Sequence, residues 1–246
     1  MPIAIIEAFV VVFLVVLVSF LQKDIRISEF FLSSSAFLIT FGGTMAASLI
    51  HFSTKEIVES LKFLKHIFLR DQISPDNMAN MVIELSKLFK DKGREGLKIV
   101  RGDISHPILL TGIDLLSVDM EDDEFSELFE VGIKRSYSEV KKFERVFREM
   151  GVYAPMFGLF GTLVGLIQLL RELSSPQTIA PNMAIALVTT LYGIALAGFV
   201  FMPISGKIKT KSEVELKNSQ IIYDGFIMIK KGYGPFAVEQ KLRAYM

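Results

Sequence analysis

The sequence predicts an all-α integral membrane protein: four transmembrane helices, a helical cytoplasmic domain between spans two and three, and a helical C-terminal tail. Three observations predict this class. Hydrophobic residues make up 51% of the 246 residues, and the mean hydropathy is +0.44. The 27 basic and 27 acidic residues are gathered into two stretches, which leaves long runs without charge. No stretch shows the strict alternation of polar and apolar residues that is typical of a half-buried strand.

Four segments are long and apolar enough to cross a bilayer, which takes about 20 mostly apolar residues. They are residues 2–21, 30–50, 150–170 and 183–204. The first contains one charged residue, Glu7, and the other three contain none. Because soluble helices of this length usually keep a charged face, we interpret all four as membrane spans.

The first segment is predicted to be a retained span and not a cleaved signal peptide. A signal peptide begins with a basic region, whereas no Lys or Arg precedes Lys23 in this chain. Glu7 lies near the inner end of the span, where a carboxylate can reach the interface or stabilise the helix N-terminus.

The basic residues predict the orientation, because cytoplasmic loops carry an excess of Lys and Arg. The short loops 22–28 and 171–182 hold few basic residues, namely Lys23, Arg26 and Arg171. Basic residues are concentrated in segment 51–149 and in the tail 205–246. We therefore expect both of these regions, and both termini, on the cytoplasmic side of a bacterial inner membrane.

The cytoplasmic segment predicts helices with defined ends. Ser53 and Glu56 have the spacing of a capping box, in which each side chain satisfies a backbone donor near the other. Ser74 followed by Pro75 fits an N-cap with proline in the first helical position. Gly93 is placed to end the helix that begins there.

Longer helices are expected on either side of the last two spans. A third cytoplasmic helix is expected over 107–116. A long helix should run from 123 to 150 and continue into span three, since no proline intervenes before Pro155. The tail 206–231 is interpreted as an extension of span four, and 232–235 should break it before a short last helix.

Composition argues against several classes of function. The chain has no cysteine, which excludes disulfides and Cys-based metal sites, and its three scattered histidines argue against a His-rich metal site. It has no phosphate-binding loop of the form G-x-x-x-x-G-K-[ST] and no net charge that would attract nucleic acid. We therefore expect neither an enzyme nor a cofactor.

The apolar spans also restrict how this chain could move an ion. Proteins that move ions through a bilayer normally place an ionisable residue on the path, because a bare ion in hydrocarbon is too costly. Spans two, three and four offer no Asp, Glu, Lys or Arg. If the chain conducts ions, a partner must supply the carboxylate.

Spans three and four are rich in small and hydroxylated residues. Gly161 and Gly165 form a GxxxG pattern, which lets helices approach closely. The pattern alone leaves simple helix packing and a specialised lining equally open. Pro155 and Pro203 lie near the cytoplasmic ends of these spans, where they indicate either hinges or ordinary helix ends.

Four motifs carry a resemblance to a known family. They are FGGTMAASLI (41–50), APMFGLFGTLVGLI (154–167), NMAIALVTTLYG (182–193) and FMPISGK (201–207). Together with the spacing of the spans, they make the chain resemble the MotA/PomA family of flagellar motor stator subunits, within the MotA/TolQ/ExbB superfamily. The resemblance covers nearly the whole chain.

The resemblance implies a function in motility. Subunits of this family form a ring, taken to be a pentamer, around a dimeric MotB/PomB-like partner that carries the ion-binding aspartate and anchors to peptidoglycan. Ion flow through the complex drives torque on the rotor protein FliG. By position, Pro155 and Pro203 correspond to the prolines that couple ion binding to cytoplasmic movement. Thr162, Thr189 and Thr190 resemble hydroxyls that line the ion path, which favours Na⁺ over H⁺ as the transported ion.

The resemblance also indicates a rotor contact, with one departure. Arg94, Glu95, Lys98 and Arg101 lie in the segment that should meet the rotor, and Arg94 fits the basic position. The family often has an acidic residue where Arg101 stands here. Glu95 or the acidic run 121–124 could compensate, although such a run is usually a solvated helix face.

Two other membrane functions are less consistent with the sequence. An ExbB/TolQ-type energy transducer has three spans with its large cytoplasmic loop after the first, whereas here the loop follows the second of four. A secondary transporter usually shows internal repeats and helices broken at the midplane by polar residues, and neither occurs in this sequence.

Overall fold

The computed structural model describes residues 33–69, 72–171 and 176–245. The span predicted over 2–21 and its Glu7 lie outside these residues. All regular structure in the described ranges is helical, which confirms the all-α class. In chain order the helices are α1 (Ser34–His51, with a π-helical turn at Leu38–Gly42), α2 (Thr54–Leu69), α3 (Pro75–Val100), α4 (Pro107–Ser117), α5 (Asp122–Arg171), α6 (Pro176–Ala195), α7 (Met202–Lys230) and α8 (Pro235–Arg243). A 3₁₀ turn, Arg101–Asp103, follows α3, and a second π-helical turn, Leu196–Phe201, joins α6 to α7.

Three described helical segments are long and apolar enough to cross a membrane. They are Ser34–His51, an apolar part of Asp122–Arg171, and an apolar part of Pro181–Lys230. These segments coincide with predicted spans two, three and four. The chain is therefore a multi-pass membrane protein, and its third span is the end of a 50-residue helix that begins in the cytoplasmic region.

The described residues form two compact units. The membrane unit contains the described residues up to 68 together with those of 143–206. The cytoplasmic unit contains the described residues of 69–142 and of 207–245. The helices α5 and α7 each have residues in both units, because neither helix is interrupted by a loop at the boundary, 142/143 in α5 and 206/207 in α7.

Close helix contacts hold the membrane unit together. A methyl group added at Gly158 would lie 2.9 Å from the Thr189 carbonyl oxygen, and one added at Gly193 would lie 2.6 Å from the Ala154 carbonyl oxygen. Only glycine permits this approach of α5 and α6. Span two meets α5 in a similar way, since a methyl group at Gly43 would collide with the ring of Phe157. Small residues thus let neighbouring backbones touch, as they do in other membrane helix pairs.

The cytoplasmic unit has an aromatic core. Phe129 packs edge-on against Phe125 and Phe226, and all three rings are fully buried. The last helix, α8, packs on α3 and buries Val238 and Leu242. The C-terminal tail is therefore part of this core.

The structure confirms the predicted helix ends. The Ser53 N–H donates to Glu56 Oε2 at 2.9 Å, and the Glu56 N–H donates to Ser53 Oγ at 3.3 Å, which completes the capping box. Ser74 Oγ accepts from the Asn77 N–H at 3.3 Å. Gly93 has non-helical backbone angles, with a φ of 58°, and α3 therefore consists of two helical segments that meet at this residue. The first segment ends where the sequence predicted, and the second follows directly.

Replacing Gly112 with alanine should destabilise the cytoplasmic unit. The added methyl group would lie 2.7 Å from the Phe226 ring and 3.1 Å from Phe129, both of which are fixed in the core. Overpacking of this kind costs about 1–3 kcal/mol. The midpoint of thermal unfolding of the purified chain should fall. Gly132→Ala is the matched control, because its methyl group meets only Thr111, at 3.4 Å. Equal midpoints for the two variants would contradict this packing.

Candidate functional site

A cluster of oxygen atoms lies between spans three and four. Thr162 Oγ1 lies 3.0 Å from the Ala186 carbonyl oxygen and 3.2 Å from the Gly158 carbonyl oxygen, and it contacts Thr190 Oγ1. Thr190 Oγ1 is in turn 3.4 Å from the Gly158 carbonyl oxygen. Both hydroxyl-bearing residues are half-buried. The cluster consists of neutral oxygen atoms, which are suitable ligands for a hard cation but carry no charge to balance it.

Thr189 has a different environment from its two predicted partners. Its hydroxyl is buried and donates to the Ala186 carbonyl oxygen at 2.8 Å. A methyl group at Gly161 would lie 2.5 Å from Thr189, so this glycine makes the space that Thr189 fills. Within a single chain, the Thr189 side chain therefore packs α6 against α5 at Gly161. The ion-path role of Thr162, Thr189 and Thr190 stays a prediction.

Span two contributes hydroxyls that the sequence analysis did not single out. Thr40 Oγ1 donates to the Thr189 carbonyl oxygen at 3.3 Å and so bridges span two to span four. Thr44 and Ser48 follow at four-residue intervals and donate to the carbonyl oxygens of Thr40 and Thr44, respectively. All three are fully buried. The regular spacing of three hydroxyls in an apolar span is the signal that could have identified them.

Both predicted hinge prolines lie where the backbone ladder of a helix is altered. Pro155 lies inside α5 and has no N–H to donate to the carbonyl of Gly151, the residue four positions earlier. Pro203 is the second residue of α7 and follows the π-helical turn Leu196–Phe201. In that turn the Met202 N–H bonds to the Ala197 carbonyl, five residues back. Such π-helical turns are frequent at functional sites. The hinge role of the prolines stays a prediction.

Polar contacts join the helices at the end of span two. Arg145 Nη2 lies 3.3 Å from His51 Nε2, and Tyr153 Oη lies 2.6 Å from His51 Nδ1. A guanidinium can only donate, so Nε2 accepts and the Nδ1–H donates to the tyrosine. Ser205 Oγ donates to Glu144 Oε1 at 3.0 Å and joins the exit of span four to α5. Sequence spacing does not reveal these contacts; Tyr153 lies two residues before Pro155, and Ser205 lies two residues after Pro203.

The four predicted rotor-contact residues lie on the surface of the cytoplasmic unit and form ion pairs. Arg94 Nη2 lies 2.8 Å from Asp119 Oδ1, and Lys98 Nζ lies 2.7 Å from Glu95 Oε1. Arg101 donates to both carboxylate oxygens of Asp114, at 2.6 and 2.9 Å. These bonds lower the pKa of Asp114 and of Asp119 from their ordinary values.

The acidic partners of these arginines are Asp114, in the last turn of α4, and Asp119, two residues after that helix ends. The run 121–124 instead begins α5, where Asp122, Asp123 and Glu124 occupy the first turn. Carboxylates there are stabilised by the positive end of the helix dipole. Gly93 directly precedes Arg94. Its positive φ turns the chain, so that the part of α3 that begins with Arg94 leaves the axis of the part before Gly93.

Buried polar side chains link α7 to other parts of the cytoplasmic unit. His106 Nε2 lies 2.9 Å from Glu215 Oε1, while Nδ1 of the same ring accepts from the Leu109 N–H at 3.4 Å. Asn218 Nδ2 donates to the Ile73 carbonyl oxygen at 2.9 Å. Among the described residues, no group of His, Asp and Glu side chains is arranged to hold a metal ion.

Comparison with known proteins shows what the chain is similar to. Residues 101–221 match the family model described as the MotA/TolQ/ExbB proton channel family. The chain is 36% identical to YtxD of Bacillus subtilis (strain 168) over 86% of its own length and 78% of that protein. It is 30% identical to the chemotaxis protein PomA of Vibrio alginolyticus, over 88% and 85% of the two chains. The fold matches the structure of C. jejuni MotAB with a TM-score of 0.87, at 22% identity, over 100% of this chain and 96% of that one.

Proposed function

Because this chain belongs to the MotA/TolQ/ExbB proton channel family, and within it to the MotA/PomA flagellar stator subunits, we propose that it forms the ring of an ion-driven motor unit. The similarity to PomA over most of both chains carries this proposal. The ring, a pentamer by family resemblance, surrounds the membrane helices of a MotB/PomB-like partner. We assign the chain no catalytic activity and no cofactor, consistent with a channel family.

The partner supplies the negative charge that spans two to four lack. The oxygen cluster around Thr162 and Thr190 is neutral, and spans two to four contain no Asp or Glu. A cation entering the membrane therefore needs a carboxylate from elsewhere. A single-span partner with a membrane aspartate, anchored to peptidoglycan, provides one while the hydroxyls and carbonyls of the ring complete the coordination.

The chain is placed in the bacterial inner membrane with both termini in the cytoplasm. The concentration of Lys and Arg in residues 51–149 and 205–246 supports this orientation. It also puts the ion pairs of Arg94 and Arg101 on the cytoplasmic side, where a rotor is accessible.

Ion conduction should require both proteins. Vesicles that hold this chain together with its single-span partner should show a cation flux, and the flux should stop when the partner's membrane aspartate is changed to asparagine. Vesicles that hold this chain alone should show none. A selective cation current through the chain alone would contradict the division of roles proposed here.

The same flux measurement identifies the ion. We favour Na⁺ over H⁺, because the cluster offers four neutral oxygen ligands, three of which surround Thr162 Oγ1. Thr162→Ala should then reduce Na⁺ flux by tenfold or more and leave assembly intact. Thr111→Ala is the matched control, since the Thr111 hydroxyl bonds a carbonyl of its own helix in the cytoplasmic unit. A flux that is driven by H⁺ alone, with Thr162→Ala unaffected, would reject the preference for Na⁺.

The prolines are proposed to couple ion binding to movement of the cytoplasmic region. At Pro155 the helix α5 lacks one backbone hydrogen bond, and it contacts span four through Gly193 at the same level. Bending is easiest where the ladder is incomplete. A change in the oxygen cluster at Thr162, two turns farther along α5, can therefore tilt the rest of this helix.

Replacing Pro155 or Pro203 with alanine should abolish rotation and leave the ring assembled. Alanine restores the missing backbone donor and stiffens the junction. Rotation is measured with tethered cells, and assembly by size-exclusion chromatography of the complex. Pro181→Ala is the matched control, because Pro181 lies in the first turns of α6, away from both junctions. Normal rotation in the Pro155 and Pro203 variants would overturn the hinge.

Arg94, Glu95, Lys98 and Arg101 are proposed to meet the rotor protein FliG. All four are exposed and lie on one segment after the kink at Gly93. Exposed ion pairs contribute little to stability, since their median is about 0–1 kcal/mol, so their role is better sought in association.

A charge swap distinguishes a contact of Arg94 with the rotor from its ion pair with Asp119 within the chain. Arg94→Asp should weaken swimming, since it removes a basic group and repels Asp119. If Arg94 serves the rotor, the double variant Arg94→Asp with Asp119→Arg should stay impaired, although the internal pair is restored with reversed polarity. Swimming speed in soft agar measures the effect, and Lys134→Asp with Glu130→Arg is the control swap at another exposed pair. Full recovery in the Arg94 double variant would assign this arginine to folding alone.

A further inference from the structure

The helix α2 has an exposed side for which the described residues provide no cover. Its inner side packs into the membrane unit: Ile57, Ser60 and Ile67 are 3, 0 and 4% exposed. On the outer side, the exposed fractions are 42% for Val58, 52% for Leu61 and 40% for Phe68. The positions 58, 61, 65 and 68 repeat at intervals of three and four residues, so these side chains form one stripe along the helix.

Basic side chains accompany the apolar stripe. Lys65 lies within it and Lys62 lies beside it, and both are exposed. No carboxylate in the described part of the chain pairs with either lysine, whereas Lys55 lies 3.9 Å from Glu59 on the other flank. The outer side of α2 thus combines large apolar groups with lysines that pair with no carboxylate among the described residues.

The position of α2 in the chain identifies what meets this surface. Span two ends at His51, and only Phe52 and Ser53 separate it from the first residue of α2. The helix therefore begins at the membrane boundary, on the side where basic residues are concentrated. A helix with an apolar stripe and neighbouring lysines at that depth has the properties of one that lies in the bilayer interface.

We propose that α2 is an interfacial helix that inserts Val58, Leu61 and Phe68 among the acyl chains of the inner leaflet and binds anionic phospholipid headgroups through Lys62 and Lys65. The long lysine stems run over the apolar stripe and bring the ammonium groups to the phosphates. The helix fixes the depth of the membrane unit, because its inner side is packed against α5 through the contact of Phe63 with Phe143.

The depth of α2 can be measured directly, because the chain has no cysteine and accepts a single spin label without other changes. The full-length protein carrying Leu61→Cys is labelled and placed in nanodiscs of phosphatidylcholine and phosphatidylglycerol. The label at 61 should collide more often with oxygen, which is soluble in lipid, than with a water-soluble nickel complex. The label at Glu59→Cys, on the other flank of the helix, should show the opposite preference.

Two results would contradict the proposal that α2 inserts into the inner leaflet. Equal exposure of the labels at 61 and 59 to the nickel complex would place α2 in water. Protection of the label at 61 from both oxygen and nickel would mean that protein, such as a second copy of this chain, covers the stripe.

A second measurement tests the headgroup preference. Lys62→Gln with Lys65→Gln should lower the preference of the protein for spin-labelled phosphatidylglycerol over phosphatidylcholine by about fivefold for each lysine. Lys62→Arg with Lys65→Arg should retain the preference. Lys90→Gln with Lys92→Gln removes the same charge from exposed positions of the cytoplasmic unit and should have no effect. A loss of equal size in this control pair would show that net charge, and not α2, selects the lipid.

Discussion

The contact of spans three and four through glycine determines most of the membrane unit. In a bilayer, apolar side chains gain little by leaving lipid, so helices associate through close packing and polar contacts. Gly158 and Gly193 supply the packing by bringing the two backbones into contact. This approach is what lets Thr162 of one helix reach both a carbonyl and a hydroxyl of the other. Larger residues at these glycines would separate the oxygen atoms, and the cluster would cease to exist.

Hydrogen bonds to backbone carbonyls explain why polar groups in the spans are tolerated without charge. Each hydroxyl in spans two to four that the structure describes as buried has a carbonyl within bonding distance, as for Thr44 and Thr189. A satisfied hydroxyl in hydrocarbon costs little, whereas an unsatisfied one would cost several kcal/mol. In the proposed complex, the ion replaces some of these internal bonds only when the partner brings a carboxylate close enough to offset the loss. Spans two to four contain no such group, and in the described structure their hydroxyls are bonded to backbone carbonyls.

Much of the fold follows from local sequence signals, and the site does so only in part. The capping box at Ser53, the N-cap at Ser74 and the continuous helix into span three depend on a few neighbouring residues, and the sequence predicts them well. The π-helical turns and the bond from Thr40 to the Thr189 carbonyl depend on which backbones meet in three dimensions. The same is true of Arg101: its acidic partner lies thirteen residues away, on another helix, and no spacing rule within one helix predicts it.

The hinge that we propose at Pro155 lies within one continuous helix, α5. The helix has no loop between its cytoplasmic start at Asp122 and the span, so any change of direction must occur within the helix itself. At 1.5 Å per residue, the part from Asp122 to Pro155 is about 50 Å long, and a bend of about 5° at the proline would move its far end by roughly 4 Å. That far end begins three residues after Asp119, the partner of Arg94. In the proposed mechanism, a displacement of this size is larger than the 2.8 Å ion pair of Arg94 and Asp119, so a small rearrangement of oxygen atoms would shift the charged surface by more than one contact distance. A flexible linker at the same place would dissipate the motion, which is a physical reason for an unbroken helix with a single proline in it.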